Sequence, residues 1–269
     1  MKSVFFFTDV HGAWDLYETI INYCLSQDPD CTIIFGGDAC DRGPDGYKII
    51  KHLLSCPNVI YLMGNHEMLF VDAAKAIAKY NLILDEAIED DAVALHIYNG
   101  GYMTLQAWIE DGKPMNLIDK LEALPVGLRY KNLDFCHAGG NPKVFDHMLE
   151  TGASNEDDIS HLTWDRNCLG LGWTPERICV FGHTPVMYLP KKYYQTENMP
   201  EEVHPSKYLG QLDEQRTGLK IDMDTGACFT GIAYVLNCDT MQAQGFKDTD
   251  IENPDIRKHE IEKIDIIQF

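Results

Sequence analysis

Five short motifs carry side chains that can bind divalent metal ions, and each motif follows an apolar segment. The motifs are Asp9-Val10-His11-Gly12, Gly36-Gly37-Asp38-Ala39-Cys40-Asp41-Arg42-Gly43, Gly64-Asn65-His66-Glu67, His137-Ala138-Gly139-Gly140 and Gly182-His183-Thr184-Pro185. Their mixture of carboxylate, amide oxygen and imidazole suits manganese, iron or zinc better than calcium. The glycines beside the donors allow the backbone to turn sharply and to approach bound ions closely.

The number of donors indicates two ions rather than one. Six donors exceed what one catalytic ion can accept while it keeps an open position, whereas two ions sharing a carboxylate accommodate them. Two ions about 3.5–4 Å apart can hold a hydroxide and bind the oxygens of a phosphate group. A lone Asp-x-His tripeptide occurs by chance in turns and helix caps, but five such motifs together predict a metal site.

Strands and helices must bring these motifs together. Short β-branched and aromatic runs at 4–8, 32–35, 59–63, 133–136 and 178–181 predict buried strands. Apolar residues recur at helical spacing in 14–25 and 49–54, between the first three runs. Strands alternating with helices predict a parallel sheet. Ligands of such sheets bind at the carboxyl ends of the strands, so the five motifs are expected to meet at one rim.

The rest of the chain fits a single domain over residues 1–269. A mostly helical pattern around 68–124 predicts an inserted helical cap or flank. The stretch 190–217 is polar without a clear period and predicts a long loop. Strand patterns at 220–223 and 232–237 suggest a second, more antiparallel sheet.

Composition limits the partners and the compartment. The formal net charge is −20 and the pI is near 4.7, which argues against binding a nucleic-acid backbone or an anionic membrane. Nine scattered cysteines without a CxxC pair favour reduced thiols in the cytoplasm. No apolar run is long enough to span a bilayer, and the amino-terminal run is too short for a signal peptide. The oligomeric state is not predicted.

The motifs resemble the signature set of the metal-dependent phosphoprotein phosphatases, a family of calcineurin-like metallophosphoesterases. The resemblance lies in TDVHG, GGDACDRGP, MGNHE, HAGGNP and FGHTP, in this order. The stretch Leu162-Thr163-Trp164-Asp165-Arg166 resembles an element of the bacterial and phage branch, which is related to symmetrical diadenosine tetraphosphate hydrolases. The fold implied is α/β, a four-layer α/β/β/α sandwich with mixed sheets and flanking helices.

The resemblance also implies roles for individual residues. Asp9 and His11 would hold the first metal, Asp38 would bridge both, and the second would be held by Asn65, His137 and His183. His66 would act as the general acid with Asp41 orienting its ring, because imidazole titrates near neutral pH and a carboxylate fixes its tautomer. The substrate phosphate would contact Arg42, Arg166 and Asn65. The remaining histidines, including His96, are expected to be solvated or structurally bonded.

The function implied is hydrolysis of a phosphate monoester by a metal-bridging hydroxide, with manganese as the first choice of metal and iron, zinc or nickel as others. The leading expectation is a bacterial-type protein serine/threonine phosphatase. The alternatives are hydrolysis of diadenosine tetraphosphate or another small phosphoester, and a silent binding scaffold. Complete donor motifs argue against the scaffold. Thr8, Met63 and the stretch 190–217 depart from the family pattern and leave the substrate open.

Overall fold

Alternate residues of the first strand, β1 (Val4–Phe7), pack into two different cores. Phe5 and Phe7 face a core shared with helices, whereas Val4 and Phe6 face a second sheet. Because side chains alternate along a strand, a wholly apolar strand of this kind is buried on both faces. The sequence of β1 therefore already requires a layer on each side of its sheet.

The computed structural model describes residues 2–80, 84–152, 156–190, 203–213, 216–252 and 258–269. The helices are α1 (Trp14–Gln27), α2 (Gly46–Ser55), α3 (Asn65–Tyr80), α4 (Leu84–Ala87), α5 (Asp91–Tyr98), α6 (Tyr102–Glu110), α7 (Met115–Glu122), α8 (Pro142–Thr151), α9 (Glu156–Thr163) and α10 (Ala227–Thr230). The strands after β1 are β2 (Thr32–Phe35), β3 (Val59–Tyr61), β4 (Gly127–Tyr130), β5 (Leu133–Cys136), β6 (Ile178–Phe181), β7 (Ser206–Asp213), β8 (Arg216–Asp222), β9 (Ile232–Asn237), β10 (Gln242–Asp248) and β11 (Ile261–Gln268).

Within these described residues, the strands form two mixed sheets. One has six strands in the order β11-β10-β9-β1-β2-β3, and the other has five in the order β4-β5-β6-β8-β7. Phe6 of β1 and Phe135 of β5 meet between the sheets, with ring centroids 5.0 Å apart. Helices including α1, α2 and α3 cover the outer face of the first sheet, and α8 and α9 cover the second. The expected four-layer α/β/β/α sandwich is confirmed.

The predicted strands and helices that carry the first three motifs are present. β1, β2 and β3 pair in parallel, as the alternation with helices predicted. Helix α1 buries Leu16, Tyr17, Ile20 and Cys24 on one face, which is the spacing of an amphipathic helix. Between residues 65 and 122 the described structure contains helices α3 to α7, in the region expected to be a helical insert.

Two expectations about the last part of the chain are wrong. Strand β9 does not join β8 in a second antiparallel sheet, because it pairs antiparallel with β1 in the first sheet. The loop expected at 190–217 contains strand β7 and the start of β8, which form an antiparallel pair. Residues 191–202 and 214–215 of that stretch lie outside the described residues. In the part of the chain that is described, no helix is long and apolar enough to cross a membrane.

Candidate active site

The carboxylate of Asp38 lies between two groups of histidines at the carboxyl end of β2. Its Oδ2 is 3.5 Å from Nε2 of His11, which follows β1. Its Oδ1 is 3.3 Å from Nε2 of His137, which follows β5 in the other sheet. The site therefore forms where the strand ends of both sheets meet, and one carboxylate presents an oxygen to each side, as a ligand shared by two ions would.

The rings of His11 and His137 are each fixed through one nitrogen. Nδ1 of His11 lies 2.8 Å from the carbonyl oxygen of Cys40, and Nδ1 of His137 lies 2.9 Å from that of Gly36. A carbonyl oxygen only accepts hydrogen bonds, so Nδ1 donates in both rings and Nε2 is the nitrogen left to bind a metal ion. In both rings Nε2 faces Asp38, which is the arrangement of a metal ligand oriented by its outer partner. The charges of Asp38 and Asp9 outweigh burial and raise the pKa of His137 to about 10, so a cation bound there would displace the Nε2 proton.

His183 is oriented in the opposite sense. Its Nε2 lies 3.1 Å from the carbonyl oxygen of Trp164, so Nε2 donates and Nδ1 keeps the lone pair. That Nδ1 is 2.8 Å from Oδ1 of Asn65, which is also 3.1 Å from Nε2 of His137. Three potential ligand atoms, Nδ1 of His183, Oδ1 of Asn65 and Nε2 of His137, thus converge on a small space where a cation could bind all three.

Of the described residues, two sets of three place their ligand atoms within 4.8 Å of one another. They are His11, Asp38 and His66, and Asp38, His137 and His183. Asp9 belongs to neither set, and its carboxylate accepts the backbone N–H of His183 at 3.1 and 3.2 Å. The structure therefore brings all six sequence-predicted ligands into one buried region, with Asp9 occupied by a backbone contact.

The electrostatics of this region fit bound cations. Burial raises the pKa of Asp9 to about 7, and the Asp38 carboxylate adds to the rise against the opposing effect of His137. Asp224, which follows β8, is also buried, and burial together with Asp9 raises its pKa well above the ordinary value. Buried carboxylates that lie close together resist ionisation. Divalent cations bound among them would offset the free-energy cost of their negative charges.

The backbone is in the left-handed region at six of the predicted site residues. The φ angles are 56° at Asp9, 42° at His11, 59° at Asp38, 70° at Asp41, 65° at Arg42 and 69° at His183. This conformation is unfavourable for residues other than glycine, and asparagine and aspartate tolerate it best. Backbone strain concentrated in this way is a feature of functional sites, where the surrounding structure holds side chains in place.

The two residues predicted to act as the general acid and its orienting partner, His66 and Asp41, are in contact. Nδ1 of His66, at the start of α3, lies 2.7 Å from Oδ2 of Asp41. The carboxylate accepts, so Nδ1 donates and Nε2 is directed away from Asp41 toward Asp38, whose Oδ2 is 3.9 Å distant. Burial alone lowers the pKa of His66, but the charges of Asp38 and Asp41 outweigh it and raise the pKa above its ordinary value.

The two predicted phosphate-binding arginines lie at the rim. The guanidinium of Arg42 contacts Nε2 of His11 at 2.7 Å and Nε2 of His66 at 3.1 Å. Arg166 is exposed, and it donates to the hydroxyl of Thr184 and to the carbonyl oxygen of His183, both at 3.2 Å. Arg42 therefore reaches into the donor cluster, whereas Arg166 approaches from the solvent side.

Glu67 has a positioning role that the sequence did not reveal. Its buried carboxylate accepts the backbone N–H groups of Asp38 and Ala39 at 2.8 Å and that of Gly64 at 3.0 Å. It also accepts the hydroxyl of Tyr61 at 2.8 Å. One side chain thus joins the turns after β2 and β3. The only sequence feature that could have indicated this role is the position of Glu67 in the Gly64-Asn65-His66-Glu67 motif.

His96 was also missed, because it lies outside every motif. Its ring is buried in α5, and Nε2 lies 2.8 and 2.9 Å from the two oxygens of Asp41. It is structurally bonded, as expected, and its partner is Asp41, the residue predicted to orient His66. One sequence feature could have drawn attention to His96. The Asn99-Gly100-Gly101 turn begins three residues after it, and paired glycines allow the backbone to pass close to a neighbouring side chain.

With this geometry established, comparison with known proteins defines the class. The chain belongs to the calcineurin-like phosphoesterase family, whose sequence profile matches residues 2–195. It is therefore a metallophosphoesterase, a hydrolase of a metal-dependent family.

Individual relatives are more distant. The chain is 25% identical over 207 residues to the asymmetrical bis(5'-nucleosyl)-tetraphosphatase PrpE of Oceanobacillus iheyensis, covering 66% of this chain and 76% of that protein. It is 30% identical over 67 residues to a symmetrical bis(5'-nucleosyl)-tetraphosphatase of Buchnera aphidicola subsp. Schizaphis graminum. That match spans 24% of the length of either protein.

A solved structure supports the fold assignment. The crystal structure of a protein assigned as a diadenosine tetraphosphatase aligns with a TM-score of 0.52 and 16% identity, covering 98% of this chain and 93% of that one. At this identity the likeness concerns the fold.

Proposed function

We propose that this protein hydrolyses phosphate monoesters at a pair of divalent metal ions, with phosphoserine or phosphothreonine in proteins as the first substrate class. In this proposal Asp9 and His11 hold one ion and Asp38 is shared. The other ion is held by Asn65, His137 and His183. Manganese is the first candidate metal, and iron, zinc and nickel suit the same donors.

The observation that carries the proposal is the orientation of three imidazole rings. His11, His137 and His183 each donate one N–H to a backbone carbonyl and direct the other nitrogen at Asp38 or Asn65. Buried histidines with no ligand to hold do not require a shared direction for their free nitrogens. This arrangement fixes the direction of each ring before any ion binds, which is the preorganisation that metal sites need.

The side chains around the donors then have distinct tasks. When bound, two divalent ions supply a deprotonated water as nucleophile and offset charge on the phosphate. Arg42 and Arg166 bind the phosphate oxygens and stabilise the charge that grows on them. As the bond from phosphorus to the ester oxygen breaks, His66 donates the Nε2 proton to the departing oxygen, and Asp41 stabilises the protonated ring.

The openness of the rim supports a protein substrate. Arg166 is exposed, and Phe229 of α10, whose ring lies 5.6 Å from the Arg42 guanidinium carbon, is 59% exposed. A phosphorylated side chain projecting from a protein surface could therefore reach the arginines. The local positive charge of the guanidinium groups and ions would attract the phosphate in spite of the net charge of −20.

A second candidate is hydrolysis of a dinucleoside polyphosphate. Two hollows flank the arginines, one of about 420 Å³ bordered by Arg42 and Trp14, and one of about 430 Å³ bordered by Arg166 and Trp164. Both tryptophans are partly exposed, and aromatic rings stack on nucleobases. The relatives named bis(5'-nucleosyl)-tetraphosphatases point in the same direction.

The deciding experiment compares two substrates under the same conditions. Purified protein with manganese is given a phosphoserine peptide and, separately, diadenosine tetraphosphate, and kcat/KM is measured for each. The first candidate predicts the larger value for the peptide, and cleavage of the nucleotide alone would contradict it. Full activity after exhaustive chelation would contradict the two-metal proposal as a whole.

A further inference from the structure

The carboxylate of Asp41 lies between two histidine rings that come from different helices. Nδ1 of His66, at the start of α3, is 2.7 Å from Oδ2. Nε2 of His96, in the last turn of α5, is 2.8 Å from Oδ1 and 2.9 Å from Oδ2. All three side chains are buried. His96 therefore contacts both oxygens of the carboxylate that orients the proposed acid.

The hydrogen bonds of His96 define which nitrogen acts on Asp41. A carboxylate only accepts, so Nε2 of His96 is the donor to Asp41. Nδ1 of His96 is buried and has no hydrogen-bond partner among the described residues. The hydrogen bonds of the ring within the described structure are therefore directed at Asp41 alone, and His96 is a fixed donor to that carboxylate.

The surrounding chain is shaped to hold this ring. A Cβ atom at Gly101 would lie 2.2 Å from Nε2 of His96, so the space for the ring depends on glycine at this position. Phe70 of α3 packs against the imidazole with ring centroids 5.7 Å apart. The backbone N–H of Asp41 donates to the hydroxyl of Thr104 in α6 at 3.1 Å. Asp41 is therefore held by both α5 and α6. We call these two helices and the turn at 99–101 that joins them the α5–α6 corner.

We infer that His96 is a positioning residue for the proton transfer: it fixes the carboxylate of Asp41, which in turn fixes the ring of His66 with Nε2 facing the departing oxygen. The inference rests on the proposed function, in which His66 is the acid. It makes the α5–α6 corner part of the active site. The same corner holds Arg42, whose backbone N–H donates to the carbonyl oxygen of Gly100 at 2.9 Å.

Two variants of His96 with amide side chains of different length test the inference. In His96→Gln the side-chain nitrogen can occupy the position of Nε2 and donate to Asp41, whereas in His96→Asn it ends near the position of Nδ1. The matched control is His52→Asn, which removes a histidine hydrogen-bonded to Tyr17 at 2.7 Å outside the site. Each variant is assayed with manganese on 4-nitrophenyl phosphate, which has a weakly basic leaving group, and on phenyl phosphate, which has a strongly basic one.

The readout is the ratio of kcat/KM for the two esters. The more basic phenoxide leaving group depends more on a proton from the acid than 4-nitrophenoxide does, so a displaced His66 slows phenyl phosphate selectively. We expect the ratio to change about 10-fold in His96→Asn and to stay at the wild-type value in His96→Gln and His52→Asn. Because both rates come from one preparation, the ratio is independent of the folded fraction. An unchanged ratio in active His96→Asn would overturn the inference.

A second measurement separates this inference from the proposed function. The Nδ1 proton of His66, hydrogen-bonded to a buried carboxylate, should give a low-field proton resonance that is assigned by its loss in His66→Asn. We expect the resonance to persist in His96→Gln and to shift or vanish in His96→Asn. If the wild type hydrolyses neither ester, the proposed function fails, and an unchanged resonance in His96→Asn would then overturn the positioning role by itself.

Discussion

The carboxylate of Glu67 accepts the backbone N–H of Asp38 at 2.8 Å and so holds the residue that faces both histidine groups. Asp38 has a φ of 59°, a conformation that its own preferences would not maintain. The hydrogen bond therefore stabilises a strained turn and aims the Asp38 side chain into the site.

Replacing Glu67 with Gln should weaken metal binding. The amide group would present N–H donors to backbone N–H groups, so at least one buried hydrogen bond is lost. We expect a loss of about 1–3 kcal/mol in the free energy of unfolding and about 10-fold in manganese affinity. Denaturant unfolding and a manganese titration measure the two effects. Tyr61→Phe is the control, because it removes only one hydrogen bond to the carboxylate, and equal losses in both variants would contradict the role of Glu67 in holding Asp38.

Metal binding should stabilise the fold through Asp38. A ligand that binds only the native state at about 100 times its Kd raises the free energy of unfolding by about 2.7 kcal/mol. We expect manganese to raise the thermal midpoint of the wild type and of Lys51→Ala, which alters only the exposed ion pair of Lys51 with Asp111. Asp38→Asn should show a much smaller rise and no turnover. A full rise in Asp38→Asn would argue against a shared carboxylate.

Arg42 should matter more for turnover than for substrate binding. Its guanidinium contacts Nε2 of His11 and Nε2 of His66. At this position it can stabilise the negative charge that increases on the phosphate oxygens during the reaction. We expect Arg42→Lys to lower kcat by about 100-fold, because a lysine cannot bind two oxygens through a planar fork. Arg216→Ala, at the far end of β8, serves as control. A rise in KM at constant kcat would assign Arg42 to ground-state binding only.

His259 should make stability depend on pH. Its Nδ1 lies 2.6 Å from Oδ2 of Asp248, and this hydrogen bond raises the pKa of His259 above the ordinary value of 6.5. A raised pKa in the folded state stabilises the protein below pH 6.5, and the stabilisation is lost as pH rises through the folded pKa. His259→Gln should therefore destabilise by less than about 1 kcal/mol at pH 5.5 and by clearly less at pH 8.5. Unfolding curves at both values measure the difference, and a pH-independent effect would contradict it.

The sequence predicted the convergence of the site because the relevant signals are local. Each donor follows a short apolar strand, and parallel strands necessarily bring their carboxyl ends to one edge. His96 could not be placed in this way. It acts on Asp41 from 55 positions away along the chain, and a histidine on a helix carries no sign of its partner.

The errors in the fold have a related cause. The pattern of residues 232–237 correctly predicts a strand, but a strand pattern does not say which neighbour it will pair with, and β9 pairs with β1. The sequence of β7 does not predict a strand, because this edge strand has Ser206 and Gly210 on its buried face and the apolar Leu209 on its exposed face, which hides the apolar alternation.

The left-handed backbone at six site residues has an evolutionary consequence. At these positions glycine would lower the conformational strain, while removing the side chain that does the chemistry. At these six positions a substitution that raises thermal stability lowers activity. Variants selected for heat resistance alone would therefore tend to lose these side chains first. Aspartate, histidine or arginine stands at each of the six positions in this chain, which is what selection for turnover, rather than for stability alone, would leave behind.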